Sequence, residues 1–428
     1  MDASTSELDA WLAHIERLHS RPIDMSLERV RDVARRLDID LKRSITFVVG
    51  GTNGKGSTCA FLDAILRAAG YRVGLYTSPH LLRFNERACI GGMAVDDSAL
   101  IAQFEAVERA RAGTELTYFE FTTLAILRLF AHNGLDAAVL EIGLGGRLDA
   151  VNIVDGDCAV LTTVDIDHVE YLGPTRDAIG YEKAHIFRAS RPAIVSDPQP
   201  PNTVLEVATA CGADLWLRGR DFALRAQQQQ WDYLGRTLRR SGLPYPALRG
   251  ASQLLNASAA LAALEAVASR LPVSQQAVRT GLLTARLPGR FQVLPGRPTV
   301  IFDVAHNKQA AAELVCNLER QGFFPRTHAV FGMLRDKDVR AVASCVAPAI
   351  DVWHVGPTPG ARGASAEALG ALLREVAGNA DVRTYPSVAA ALAAAHEACG
   401  TDDRIVVFGS FLTVAEAMRA SGMATSVT

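Results

Sequence analysis

Paired cysteines are missing from this 428-residue chain. Its seven cysteines (Cys59, Cys89, Cys158, Cys211, Cys316, Cys345 and Cys399) are scattered, odd in number and never spaced C-x-x-C. That argues against a disulfide framework and a zinc cluster, and it fits a reducing compartment. A charge excess is missing too. The formal net charge of −2 gives no reason to expect a nucleic-acid or membrane partner. No apolar run is long enough to cross a bilayer. The opening MDASTSELDAWLAHIERLH is polar and acidic at its start, without the apolar core of a secretory signal. A cytoplasmic location is expected. What remains is an ordinary globular balance, 49% hydrophobic and 21% charged, in a length that calls for two domains or more.

Short β-branched runs alternate with helical stretches. ITFVVG (Ile45 to Gly50) reads as a buried strand, and STCAFLDAILRAAG (Ser57 to Gly70) as the helix after it, stopped by Gly70. RVGLYTS, DAAVLEIG and CAVLTTV read as further strands, and TTLAILRLFAHNG as a helix. Continuous apolar strands separated by helices imply a mostly parallel sheet covered on both faces, an α/β fold. DFALRAQQQQWDYLGRTLRRSG alternates weakly and is expected to form a hairpin. SQLLNASAALAALEAVASRL reads as a strong helix, after which LPGRFQVLPGRP concentrates Pro and Gly and marks a domain boundary. Alternation then restarts with TVIFDVA, HAVFGM, DVWHVG and RIVVFGS as strands of a second, smaller α/β domain.

The stretch FVVGGTNGKGSTCAFL departs from the usual phosphate loop, G-x-x-x-x-G-K-[ST]. Val49 holds the first glycine position, and Gly56 stands between Lys55 and Ser57. The working parts survive: a strand, Gly51, Gly54 and Gly56 close together, Lys55, and a helix N-terminus to face an anion. In the usual loop the hydroxyl after the lysine holds Mg²⁺. Its displacement here directs attention to oxygen donors at neighbouring strand ends. Ser78, Pro79 and His80 follow one strand, Glu141 ends another, and Asp165, Asp167 and His168 follow a third, with YEKAHIFR and its Lys183 beyond. Read one at a time, these have plainer alternatives: a capping or salt-bridging acid for Glu141, a non-magnesium role for His168, a surface lysine for Lys183.

Together GTNGKGS, TSPHL, LEIGLGGRLDA, DHVEYLG, EKAHIFR, LPGRFQ and FDVAHN make the chain resemble folylpolyglutamate synthase / dihydrofolate synthase enzymes of the Mur ligase superfamily, in order, from about Asp24 to Ser410. The resemblance implies a two-domain architecture. Residues 1–288 would form an N-terminal P-loop ATPase domain with the pteroate or folate site. Residues 289–428 would form a smaller Rossmann-like C-terminal ligase domain that binds glutamate and closes over ATP. It implies a ligase that joins L-glutamate to 7,8-dihydropteroate and adds γ-linked glutamates to reduced folates through an acyl phosphate. The expected partners are ATP and these small molecules, with no nucleic acid or membrane, acting on a monomer.

Matched position by position, the resemblance implies that Thr52, Asn53, Gly54, Lys55, Gly56 and Ser57 hold ATP phosphates. Asn256, Arg290 and Asp303 would contact the nucleotide across the domain cleft, and His306 would face the phosphates or the incoming glutamate. Ser78 and Glu141 would hold one Mg²⁺; Glu141 and His168 would share a second with Lys183, the last as an N6-carboxylated lysine. Asp24, Met25, Ser26 and Leu27, Thr117 to Glu120 (with Tyr118 and Phe119 between), and Leu148, Asp149 and Ala150 match pteroate-binding segments, although Met25 and Ser26 depart from the pattern. One of Phe119 and Phe121 is expected to be core. A Mur-type ligase for a different acceptor, or a nucleotide-binding switch without turnover, are the competing readings; Gly56 and LPGRFQ count against the first.

Overall fold

The computed structural model describes residues 6–423 apart from Pro22 and Asn379. The chain divides into two compact units. One runs to Ala247 and resumes over Leu254–Ala285; the other takes Leu248–Gln253 and everything from Arg286 on. The short Leu248–Gln253 excursion is held inside the second unit by Ala251 N–H on Asn317 Oδ1 (2.8 Å) and Ser252 Oγ on Glu313 Oε2 (2.8 Å).

The first unit is built on eight strands: β1 (Ile45–Gly50), β2 (Val73–Tyr76), β3 (Ala88–Ile90), β4 (Met93–Ala94), β5 (Ala137–Glu141), β6 (Cys158–Leu161), β7 (Pro192–Val195) and β8 (Asp214–Leu217). Their order is β4-β3-β2-β5-β1-β6-β7-β8, parallel from β2 to β8 and antiparallel at the β3 and β4 edge. Every residue of β1, β5 and β6 is buried, as expected for strands covered on both faces. The helix Lys55–Ala68 follows β1 directly, and the helix Tyr118–Ala131 opens on a Thr117/Glu120 capping box.

The weakly alternating segment is a three-stranded antiparallel sheet rather than a hairpin: β9 (Ala223–Ala226), β10 (Gln230–Leu234) and β11 (Arg239–Pro244), with β10 central. Trp231 and Tyr233 are fully buried and explain the third strand. The indole N–H donates to Pro244 O (2.9 Å) on β11, and Tyr233 OH donates to Glu265 Oε2 (2.7 Å). Glu265 also accepts from Thr237 N–H and Leu238 N–H, so one buried carboxylate closes the turn between β10 and β11.

The second unit carries β12 (Gln292–Leu294), β13 (Thr299–Phe302), β14 (Thr327–Phe331), β15 (Val352–Val355), β16 (Asp381–Thr384) and β17 (Arg404–Phe408). The order is β12-β13-β17-β14-β15-β16, parallel except for β12. Phe331, Trp353 and Phe408 meet at its centre with ring centroids 5.1–6.0 Å apart. Among the described residues no helix is long and apolar enough to cross a membrane.

Candidate functional site

Four parallel strands deliver the site. In the order β2-β5-β1-β6, Tyr76 pairs with Leu140, Val49 with Glu141, and Gly50 with Leu161. This register brings Ser78, Glu141, Gly51 and Thr162 to the same C-terminal edge, where open α/β sheets bind ligands. Ser78 N–H donates to Glu141 Oε2 (3.1 Å), and Glu141 is buried. The structure therefore brings together the two residues expected to hold one metal. A carboxylate and a serine hydroxyl are oxygen donors of the type Mg²⁺ takes.

The glycine loop is tethered to the end of β6. Thr162 Oγ1 donates to Asn53 O (2.6 Å), Thr52 N–H to Thr163 O (2.7 Å), and Asn53 N–H to Thr163 Oγ1 (3.2 Å). Thr52 Oγ1 is bonded to the Asp165 main chain in both directions, at 3.1 and 3.0 Å, so this side chain shapes the loop. Gly54 sits at φ 87°, and a Cβ there would stand 2.4 Å from Asn256 Oδ1. The positive φ favours glycine, and the close approach places Asn256 against the loop; Asn256 belongs to the same first unit as the loop, rather than reaching it across a domain cleft as expected. Gly56 and Ser57 are buried in the first turn of the helix Lys55–Ala68.

Two lysines converge here. Lys55 Nζ donates to Gly51 O (3.2 Å) and Thr52 O (3.3 Å); Lys183 Nζ, from the helix Arg176–Ala184, donates to the same Gly51 O at 3.0 Å. Lys183 is 5% exposed, which removes the surface-lysine alternative. His168 stands on the loop after β6, half-buried in left-handed backbone (φ 52°), its N–H held by Asp167 Oδ1 at 2.8 Å. Asp197 braces this loop by accepting Val164 N–H (2.7 Å) and pairing with Arg176 (3.3 Å).

The segments matched to pteroate binding separate into two groups. Asp24, Thr117 and Glu120 form a scaffold around Arg29, which was not among the expected residues. Arg29 reaches Asp24 Oδ2 (2.7 Å) and Glu120 Oε1 (2.8 Å), while Thr117 N–H donates to Glu120 Oε2 (2.8 Å). Phe121 is fully buried core; Phe119 stacks on Tyr76 (6.4 Å) and Tyr118 meets Phe84 edge-on (6.4 Å). Met25, Ser26, Leu27 and Leu148 instead line a cavity of about 620 Å³. Its other walls include Arg31, Arg147, His185 and Arg188, with Asp155 paired to Arg188 at 2.6 Å. Its charged lining is mixed, three arginines against Glu28 and Asp155, and no Phe, Tyr or Trp is among the residues that line it.

Asp149 and Ala150 lie on the loop between. Asp149 accepts Leu144 N–H (2.8 Å) and Val151 N–H (2.9 Å), and caps the 3-10 turn Ala150–Ile153. Burial pushes its carboxyl up to about 6, against the pull of the backbone N–H groups of Leu144, Val151 and Gly143 and the charge of Lys55. Its folded value exceeds the unfolded one, 3.8, so its contribution to stability is fully present below 3.8 and is lost as pH rises through about 6. In metal- and nucleotide-free protein, wild type is expected to lose about 3 kcal/mol relative to Asp149→Asn across that window. Paired urea unfolding curves at several pH values measure it; parallel pH profiles would remove Asp149 as a titrating group.

Arg290, Asp303 and His306 form a group of their own in the second unit. Asp303 follows β13 and accepts Phe291 N–H (2.9 Å) and Ala305 N–H (2.8 Å). Burial raises its carboxyl to about 6, opposed by Arg290 and those N–H groups. Phe411 gathers the other two: Arg290 lies over its ring at 4.9 Å, and His306 is tilted against it at 6.1 Å.

Residues 49–264 match the Mur ligase middle domain, and residues 289–411 the Mur ligase glutamate ligase domain. The chain is 45% identical over 415 residues to the dihydrofolate synthase/folylpolyglutamate synthase of Escherichia coli (strain K12), covering 97% of this chain and 96% of that one. E. coli FolC in complex with DHPP and ADP superposes with a TM-score of 0.93 at 44% identity over 100% of both chains. A bifunctional folylpolyglutamate synthase/dihydrofolate synthase with Mn, AMPPNP and L-glutamate bound superposes at 0.89, with 44% identity over 98% of both.

Proposed function

The chain belongs to the dihydrofolate synthase/folylpolyglutamate synthase family of Mur ligases, and from that premise we propose how its residues share the work. It is an ATP-dependent ligase that adds L-glutamate to 7,8-dihydropteroate and further γ-linked glutamates to reduced folates. The acceptor carboxylate is phosphorylated by ATP, the amino group of glutamate attacks the acyl phosphate, and inorganic phosphate leaves.

The observation that carries the assignment of the acceptor site is one continuous loop. It leaves Glu141 at the end of β5 and reaches Arg147 and Leu148 in the cavity wall. An acceptor seated among Arg31, Arg147 and Arg188 has cationic partners for its carboxylates, a few residues of chain from the carboxylate assigned to metal. Thr52 to Ser57 and Asn256 are assigned to ATP phosphates, with Lys55 neutralising charge on the transferring group. Arg290 and Asp303 are assigned to nucleotide and His306 to phosphate or glutamate.

Ser78 and Glu141 are assigned to one divalent ion, and Glu141, His168 and a carboxylated Lys183 to a second. Bound there, the ions would offset repulsion between the γ-phosphate and the attacking carboxylate. Seven free cysteines support a cytoplasmic location.

A coupled assay for ADP, with L-glutamate and either dihydropteroate or tetrahydrofolate, tests the reading. Glutamate-dependent release with both acceptors is expected. Release with tetrahydrofolate alone would remove the dihydrofolate synthase activity, and release with neither would overturn the assignment.

A further inference from the structure

The second unit holds a cluster that the ligase reaction does not use. His328 is the second residue of β14, Cys399 caps the C-terminus of the helix Val388–Ala398, and Asp403 stands just before β17. β13, β14 and β17 are parallel, so this cluster lies at the N-terminal edge of the sheet, whereas Asp303 and His306 follow β13 at the opposite edge. A ring nitrogen of His328, Cys399 Sγ and an Asp403 carboxylate oxygen all lie within 4.8 Å of one another. His328 is 1% exposed, and its Nε2 has no hydrogen-bond partner among the described residues. A buried ring nitrogen in that state is costly unless something satisfies it.

We infer that His328, Cys399 and Asp403 form a binding site for a borderline-soft divalent transition-metal ion of the zinc class. Imidazole, thiolate and carboxylate are the donors such an ion takes, with bonds of about 2.0–2.3 Å and ligands about 3.5 Å apart in a tetrahedron. His328 Nε2 and Asp403 Oδ2 are already at 3.7 Å. Cys399, whose Sγ lies within 4.8 Å of both, is a half-buried residue at a helix end and is placed to close on the ion. Three protein ligands leave the fourth position to water.

The surroundings support a metal-ready tautomer. His328 Nδ1 meets His354 Nε2 at 3.2 Å, and His354 Nδ1 meets Tyr385 OH at 3.1 Å. When Nδ1–H of His328 donates to His354, Nε2 keeps its lone pair for the ion, the usual arrangement behind a ligating histidine. Asp403 is oriented by Gly400 N–H on Oδ2 (2.7 Å). Arg326 and Arg383 bear electrostatically on His328, as do Asp351 and Asp403. Arg383 is paired with Asp381; burial and Asp403 push the Cys399 thiol up to about 12, so an incoming ion has to displace its proton. The bound ion would tie the turn before β17 to the start of β14.

Cobalt(II) titration of the full-length, chelator-washed protein in excess Mg²⁺ tests this. Thiolate-to-cobalt charge transfer reports Cys399 and is silent for the oxygen and imidazole donors assigned at the catalytic edge. One equivalent of uptake with that band is expected in wild type. Cys399→Ser should abolish the band, and His328→Gln should weaken binding at least about tenfold. Both variants should keep Mg²⁺-dependent ligase turnover, and Zn²⁺ should raise the melting temperature of wild type but not of Cys399→Ser. No band in wild type, or a band that persists in Cys399→Ser, overturns the inference.

Discussion

Glu141→Ala is expected to lower kcat/KM by about a thousandfold, roughly 4 kcal/mol of transition-state stabilisation, while Ser57→Ala costs about tenfold or less. The contrast follows from the inserted Gly56. One step along an α-helix turns a side chain by about 100°, so Ser57, inside the helix that starts at Lys55, does not present its hydroxyl where a serine next to the lysine would. We assign that duty to the acid at the end of β5. Glu141 is buried, is the residue paired with Val49 just before the loop, and holds Ser78 N–H at 3.1 Å. Glu141→Gln retains an oxygen for that N–H and removes only the charge. A loss close to that of Glu141→Ala, with melting temperature unchanged, would assign the effect to metal and phosphate rather than to folding. Greater damage from Ser57→Ala than from Glu141→Ala would sink the assignment of metal to the neighbouring strands.

Much of this edge could be read from the chain because each part is local. ITFVVG is the whole of β1, Glu141 closes an apolar run, and Lys55 follows its glycine. What could not be read depends on register and distance. Thr162 and Thr163 look like ordinary β-strand residues until β6 is known to lie beside β1, where their hydroxyls hold the loop. Arg29 carries no local signal because its partner Glu120 is 91 positions away. β16 is polar and largely exposed at a sheet edge, so Asp381–Thr384 lacks the apolar run that betrays a strand. The Cys399 cluster is the sharpest case. Spacing argues against a zinc motif, yet His328, Cys399 and Asp403 come together because β14 and β17 are adjacent.

Lys183 provides the second large effect. Its ammonium and that of Lys55 both donate to Gly51 O, at 3.0 and 3.2 Å. Two ammonium groups sharing one carbonyl oxygen in a buried site repel each other. Phosphate oxygens relieve part of that. Carboxylation relieves it outright: the neutral amine adds CO₂ and releases a proton, and a cation becomes an anionic oxygen donor suited to Mg²⁺. Lys183→Arg keeps the positive charge but does not form the carbamate, and is expected to lose about a hundredfold or more in kcat. Lys183→Ala should fall as far and recover in part with a short carboxylic acid in solution, which Lys183→Arg should not. Intact mass in bicarbonate buffer should show one CO₂ adduct, absent from both variants. A fully active Lys183→Arg, or full turnover in CO₂-depleted buffer without the adduct, would leave Lys183 as a phosphate-facing ammonium and the second metal with only Glu141 and His168 of its assigned ligands.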